Sequence, residues 1–162
     1  MAGGPLHADW YPITSGNVFF FAMSESSGSQ WRGLGVAASI AADSTWRGAF
    51  VLPQVLPSGT PKLRLFLRAN AASGSVKVNP KWAFVSDGEN FGTPSPTPAA
   101  EGTTTVTWAT GDEYDLKVVD IPLDVNDWTG AEGLVLKMNL VFEAAGWSLL
   151  TTLWCKPVLV WV

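Results

Sequence analysis

The residues of this chain best suited to chemistry are carboxylates. Asp112, Glu113 and Asp115 cluster in GDEYD, and Asp124, Asn126 and Asp127 cluster in DVND. Oxygen-rich stretches of this kind suit a hard cation such as calcium. Neither has the ligand spacing of a calcium loop, and Asp and Asn at strand ends close turns through local hydrogen bonds, so both read first as turns. A carboxylate pair for glycoside hydrolysis would have to meet in space, and nothing in the spacing points to one. The lone histidine, His7, and the lone cysteine, Cys155, leave no Ser–His or Cys–His arrangement and too few ligands for zinc. No GxSxG elbow and no phosphate-cradling glycine loop occurs. The expectation is a protein that is not an enzyme and carries no cofactor.

Nine tryptophans are the other chemical resource. A sugar-binding sandwich would expose two or three as stacking platforms, and oligomer contacts are also rich in Trp and Tyr. Trp82 and Trp108 sit inside strand-like runs and read as core. Trp10 and Tyr11, ahead of the first strand, read as an anchor by which an arm docks on its own domain or on a neighbour.

The elements that must position these residues are strands. In KLRLFLRA, Leu63, Leu65, Leu67 and Ala69 share one face, and Lys62, Arg64, Phe66 and Arg68 share the other. The basic set reads as a solvated outer face, helped by acidic partners on an adjacent strand. In LVLKMNLVFE, Leu134, Leu136, Met138, Leu140 and Phe142 alternate with Val135, Lys137, Asn139, Val141 and Glu143. Weaker alternation marks Thr103 to Thr110 and Glu113 to Leu123. Further candidates are Val18 to Met23, Thr45 to Leu52, Ser75 to Val78, Lys81 to Val85, Trp147 to Trp154 and Val158 to Val162. Gly33 to Ser44 reads as a strand or a short helical turn. The loop Ser86 to Gly102 is stiffened by Pro94, Pro96 and Pro98. The fold class is all-β: an antiparallel two-sheet sandwich or jelly roll with an extended N-terminal arm. The arm is assigned to residues 1–16 and a single sandwich domain to 17–162.

At 162 residues, one domain buries roughly two thirds of its unfolded surface. Hydrophobic residues make up 47% and charged residues 15%, a balance that favours large interfaces over a freely solvated surface. The net charge of −4 gives no footprint for nucleic acid. The N-terminus lacks the basic start and apolar core of a signal peptide, and the C-terminal apolar run is too short to span a bilayer. The expectation is a protein without membrane contact that stays where it is made, or leaves in an assembly or by lysis.

The ending LWCKPVLVWV reads as one strand, a break at Cys155 to Pro157, and a second strand. Val158, Val160 and Val162 share one face. Leu159 and Trp161 share the other, and need cover from the arm or a neighbouring protomer.

The layout from Thr45 to Val162 resembles jelly-roll domains of bacteriophage virion proteins. A Trp/Phe strand ends in Leu52 and Pro53, and an aliphatic strand follows at Leu63 to Leu67. Next come a small-residue turn into a Val strand at Ser73 to Val78, a late aliphatic strand at Leu134 to Phe142, and a closing strand with Pro157. The Arg–Asp pair usual near the late strands of that family is replaced here by Lys137 and Glu143. An arm ahead of a sandwich is similar to capsid decoration proteins. That resemblance implies a homotrimer on the capsid surface of a virion, bound to the major capsid protein and stabilising the head. Leu6, Trp10, Tyr11, Leu159 and Trp161 are the expected interaction residues. The alternative is a carbohydrate-binding or host-receptor-binding module whose partner is a glycan.

Overall fold

A computed structural model describes residues 5–12, 18–24, 30–37, 40–69, 73–92, 97–98, 103–112, 115–123 and 128–162. The chain is an all-β jelly roll of two antiparallel sheets. The strands are β1 (Asp9–Pro12), β2 (Val18–Ser24), β3 (Gln30–Val36), β4 (Ser44–Val51), β5 (Pro61–Ala69), β6 (Gly74–Val85), β7 (Thr97–Pro98), β8 (Thr104–Trp108), β9 (Leu116–Pro122), β10 (Val135–Glu143) and β11 (Leu153–Trp161). One sheet runs β1-β4-β10-β6, with β7 and β8 sharing the far edge of β6, and the other runs β2-β3-β11-β5-β9.

Alternation sets the core. Leu63, Leu65 and Leu67 of β5 and Leu136, Leu140 and Phe142 of β10 are fully buried between the sheets, joined by Trp46 and Phe50 of β4 and by Met138. Each such side chain contributes roughly 2 kcal/mol through the apolar surface it removes from water. Gly33–Val36 belongs to β3, which settles the Gly33–Ser44 segment in favour of a strand at its start. The basic outer set of β5 has the acidic partner expected of it: Arg64 and Asp120 of β9 form a two-pronged ion pair at 2.6 and 2.7 Å. That guanidinium holds the Asp120 carboxyl below the usual carboxylate range.

Two expected breaks are not there. β6 runs unbroken through Pro80, and β11 runs unbroken through Pro157. A proline is tolerated in a strand where its missing N–H faces no neighbour. On one side of β11 the ladder to β3 stops at Cys155, and the next contact on that side is the Leu6–Leu159 bridge. Leu159 exchanges both backbone hydrogen bonds with Leu6, at 2.9 and 3.0 Å. Residues 155, 157 and 159 therefore point their backbone groups the same way, and Pro157 falls in the gap between the two partners. Pro80 likewise lies between the β8 register, which ends at Val78, and the β7 register, which begins at Lys81.

Trp147 to Trp154 is not one strand. Ala144–Gly146 is a 3-10 turn, and pairing resumes only at Leu153. Ser148 bonds Ser75 through its backbone N–H at 2.9 Å and accepts from the Ser75 N–H at 2.8 Å, holding this segment against β6 instead of in a sheet.

Part of the segment expected as an arm lies on the sandwich: Asp9–Pro12 pairs with β4, and Leu6 bridges Leu159. Residues 1–4 and 13–16 lie outside the described residues, as do Glu113, Asp124, Asn126, Asp127, Pro94 and Pro96.

Candidate functional site

The structure places the five expected interaction residues mostly inside. Leu159 is fully buried opposite Leu63, and Trp161 packs edge-on against Trp128 with ring centres 5.9 Å apart. It is therefore Leu159 and Trp161 that fill the sandwich, while Val158 and Val160 lie on the outer face. The register with β5 decides this, because Pro157, Leu159 and Trp161 stand opposite Leu65, Leu63 and Pro61. Val162 and Thr60 exchange two backbone hydrogen bonds, and Gly59, at φ 115°, lies against the Val162 backbone, while the Val162 side chain is exposed. Leu6 is half-buried against the core. Trp10 is a core residue, edge-on to Phe50 at 5.9 Å and seated on Gly48. Only Tyr11 faces out, 65% exposed.

Among the described residues the tryptophans do not form exposed platforms. Of the eight whose side chains are described, Trp10, Trp46, Trp82, Trp108, Trp128 and Trp154 are buried and Trp147 and Trp161 are half-buried. The large exposed rings among the described residues are Tyr11 and Phe91, and both lie beside the outward face of the six-stranded sheet. Phe91 lies over Lys137, whose Nζ is 5.5 Å from the ring centre and donates to the Phe91 carbonyl at 2.8 Å.

The core-facing half of each alternation fixes what the other half presents. With Trp10, Gly48, Met138 and Trp82 turned inward, their chain neighbours Tyr11, Arg47, Asn139 and Lys81 turn outward. These four stand directly opposite one another on β1, β4, β10 and β6. With strands about 4.8 Å apart, they form a row about 14 Å long across the sheet. Arg47 is exposed, and Asn139 and Lys81 are half-buried. Sequence alternation already separated Lys137, Asn139 and Glu143 from the core. The row itself could not be read there, because it needs the adjacency of four strands distant in the chain.

At one end of the face Glu143 is bound by Lys77 at 2.6 Å and by the Asn79 amide at 2.9 Å. Those two partners, Lys77 first, hold its carboxyl below the usual range. A carboxylate of lowered pKa adds stability above its unfolded value and loses that contribution as the pH falls through the lower folded value. Acid titration of the melting temperature should therefore show a loss beginning below about pH 4.5. Glu143→Gln should flatten part of that loss, and an unchanged acid limb would rule out the linkage.

Other candidates are structural. Asp112 accepts from the Ala109 N–H at 2.9 Å and from Lys117 at 2.7 Å, so it closes a turn. Among the described residues no group of three metal-binding side chains occurs. Cys155 is fully buried, and burial pushes its thiol up, away from the reactive thiolate. His7 is exposed on the chain leading into β1.

The chain is a two-sheet jelly-roll domain whose six-stranded sheet turns the row Tyr11–Arg47–Asn139–Lys81 outward. No protein-family model and no curated protein matches the chain. Solved structures do. An arabinose-bound GH51 α-L-arabinofuranosidase is 14% identical with a TM-score of 0.50, over 93% of this chain and 23% of the enzyme, so the chain spans about a quarter of that protein. A family 11 carbohydrate-binding module from Clostridium thermocellum, in complex with a β-1,3-1,4-mixed-linked tetrasaccharide, is 11% identical over 95% of this chain and 88% of the module, with a TM-score of 0.48. A non-crystalline cellulose specific carbohydrate-binding module, CBM28, is 12% identical over 92% of this chain and 85% of the module, with a TM-score of 0.49. At 14% identity the likeness to the arabinofuranosidase is one of fold.

Proposed function

We propose that the chain is a non-catalytic glycan-binding module whose ligand lies across the outward face of the six-stranded sheet. The observation that carries this is the row Tyr11–Arg47–Asn139–Lys81. A sugar ring offers an apolar C–H face, which stacks on an aromatic ring, and a rim of hydroxyls, which pair with planar guanidinium and amide groups. Tyr11 supplies the ring, Arg47 and Asn139 the planar groups, and Lys81 a further donor. Because four hydrogen-bonded strands carry them, they are set before the ligand arrives, which reduces the ordering cost of binding. Glu143 does not suit the general-acid role in glycoside hydrolysis, since its ionised form is the one its partners stabilise and a general acid must hold a proton.

Calorimetric titration of the native chain against a panel of neutral and acidic polysaccharides tests the reading. Tyr11→Ala should weaken binding of the best ligand about tenfold, the loss of one stacking contact, with circular dichroism unchanged. Failure to bind any polysaccharide would overturn it.

The second reading, a capsid decoration protein on a virion surface, is favoured by one observation. Leu116 and Val118 of the edge strand β9 are 54% and 52% exposed beside Phe66, an apolar patch suited to burial against another chain. An arm clamping a neighbouring subunit has fewer residues to offer on this structure, since Leu6 and Asp9–Pro12 are engaged by the sandwich itself. A stable trimer by light scattering, together with attachment to capsids, would replace the first reading with this one.

A further inference from the structure

The charge on the ligand face does not follow the charge of the chain. Arg47, Lys77, Lys81 and Lys137, four of ten basic residues in a chain of net charge −4, point outward from three adjacent strands. The acids facing with them are Asp9, at the β1 edge opposite Ala49, and Glu143. Asp87 and Glu89 belong to the loop beyond β6, where Glu89 accepts from the Ser86 N–H at 3.0 Å. Two of the four cations are used: Lys77 by Glu143, and Lys137 by the Phe91 carbonyl and ring. Among the described residues, Arg47 and Lys81 make no salt bridge and no side-chain hydrogen bond. Lys81 acts on Glu143 only through space.

The two unused cations flank Asn139, one on each neighbouring strand of β10. Their backbones are thus about 10 Å apart. We infer that the ligand of this face is a polysaccharide carrying carboxylates, a uronate chain, with one carboxylate on Arg47 and another near Lys81. This rests on the glycan-binding reading above.

The guanidinium fork donates two parallel hydrogen bonds to a planar carboxylate, while Lys81 meets its partner as a point charge. Asn139, between them, can give to one hydroxyl and accept from another. Tyr11 stands directly opposite Arg47, so a ring stacked on the phenol carries its carboxylate toward the guanidinium. Two free cations can meet two carboxylates of one chain. They are too few for the string of phosphate contacts that nucleic acid binding draws on.

Affinity electrophoresis and calorimetry of the full chain with polygalacturonate, its fully methyl-esterified form, heparin and a neutral mixed-linkage β-glucan test this. Polygalacturonate should bind best, and methyl esterification should weaken it about tenfold or more. Arg47→Gln and Lys81→Gln should each remove most of that preference, and rising salt should weaken polygalacturonate more than the neutral glucan. Both positions face solvent, so circular dichroism should match the parent. Equal binding of the acidic and esterified chains, indifferent to Arg47→Gln, would overturn the uronate inference and leave glycan binding standing. Preference for heparin over polygalacturonate would overturn the choice of carboxylate over sulfate. No binding to any of the four would remove both the inference and the reading beneath it.

Discussion

Trp128→Ala should lower the unfolding free energy by about 4 kcal/mol, in the range found for removing a large buried aromatic ring. Trp128 lies in the connection between β9 and β10 and is the hub of an aromatic cluster at one end of the sandwich. Its ring centre is 5.9 Å from Trp82, 5.1 Å from Phe84 and 5.9 Å from Trp161. Trp82 and Phe84 belong to β6 of one sheet and Trp161 to β11 of the other, so this one side chain ties the two layers together where the chain ends. Against a total stability of roughly 5–15 kcal/mol, the loss would bring the domain near the edge of folding at 37 °C. Urea unfolding followed by circular dichroism measures it, and a midpoint within error of the parent would refute the hub. Trp161→Ser should cost less, since Trp161 is only half-buried, and the cost should appear as lost folding stability, not as lost assembly.

Gly48→Ala should cost about 2 kcal/mol, a typical penalty for overpacking, and should weaken glycan binding although residue 48 touches no ligand. A Cβ at Gly48 would lie 2.7 Å from two Trp10 ring atoms. Phe50, the next core-facing residue of the same strand as Gly48, stands edge-on to the indole at 5.9 Å and limits how it can shift along the sheet. A displaced indole strains its own strand β1, and Tyr11 is the next residue on β1. Adding Trp10→Phe to Gly48→Ala should recover part of both losses, because the smaller ring leaves room for the methyl. Strict additivity of the two changes would show that they do not meet.

Much of the fold was legible because alternation is a local property. Leu63 to Leu67 and Leu136 to Phe142 announce a buried face whichever strands lie beside them, and Lys62 to Arg68 announce an outer one. What failed depended on neighbours far off in the chain. Pro80 and Pro157 looked like strand ends, but whether a missing N–H matters depends on which strand is paired on that side, and in each case it falls in a gap between partners. Trp147 to Trp154 has the composition of a strand yet is held by serine hydrogen bonds to β6. Of the outward face of the six-stranded sheet, the sequence showed Lys137, Asn139 and Glu143 as an outer set and Tyr11 as an anchor of the arm. Their meeting with Arg47 and Lys81 is a fact of sheet order.

The Leu6–Leu159 bridge has a mechanical consequence. Two antiparallel segments paired at one point send their chain ends away in the same direction, because residue 5 and residue 160 lie on the same side of the contact. A pull applied through both ends would therefore open this pair like a zip, one hydrogen bond after another, and would not shear a whole ladder at once. Pulled from both ends, the sandwich would be loaded at Leu6 on one side and at the Val162–Thr60 pair on the other. On the Leu6 side the load would next reach β1, the strand that carries Tyr11, so tension would disturb the outward face of the six-stranded sheet before the core unfolds.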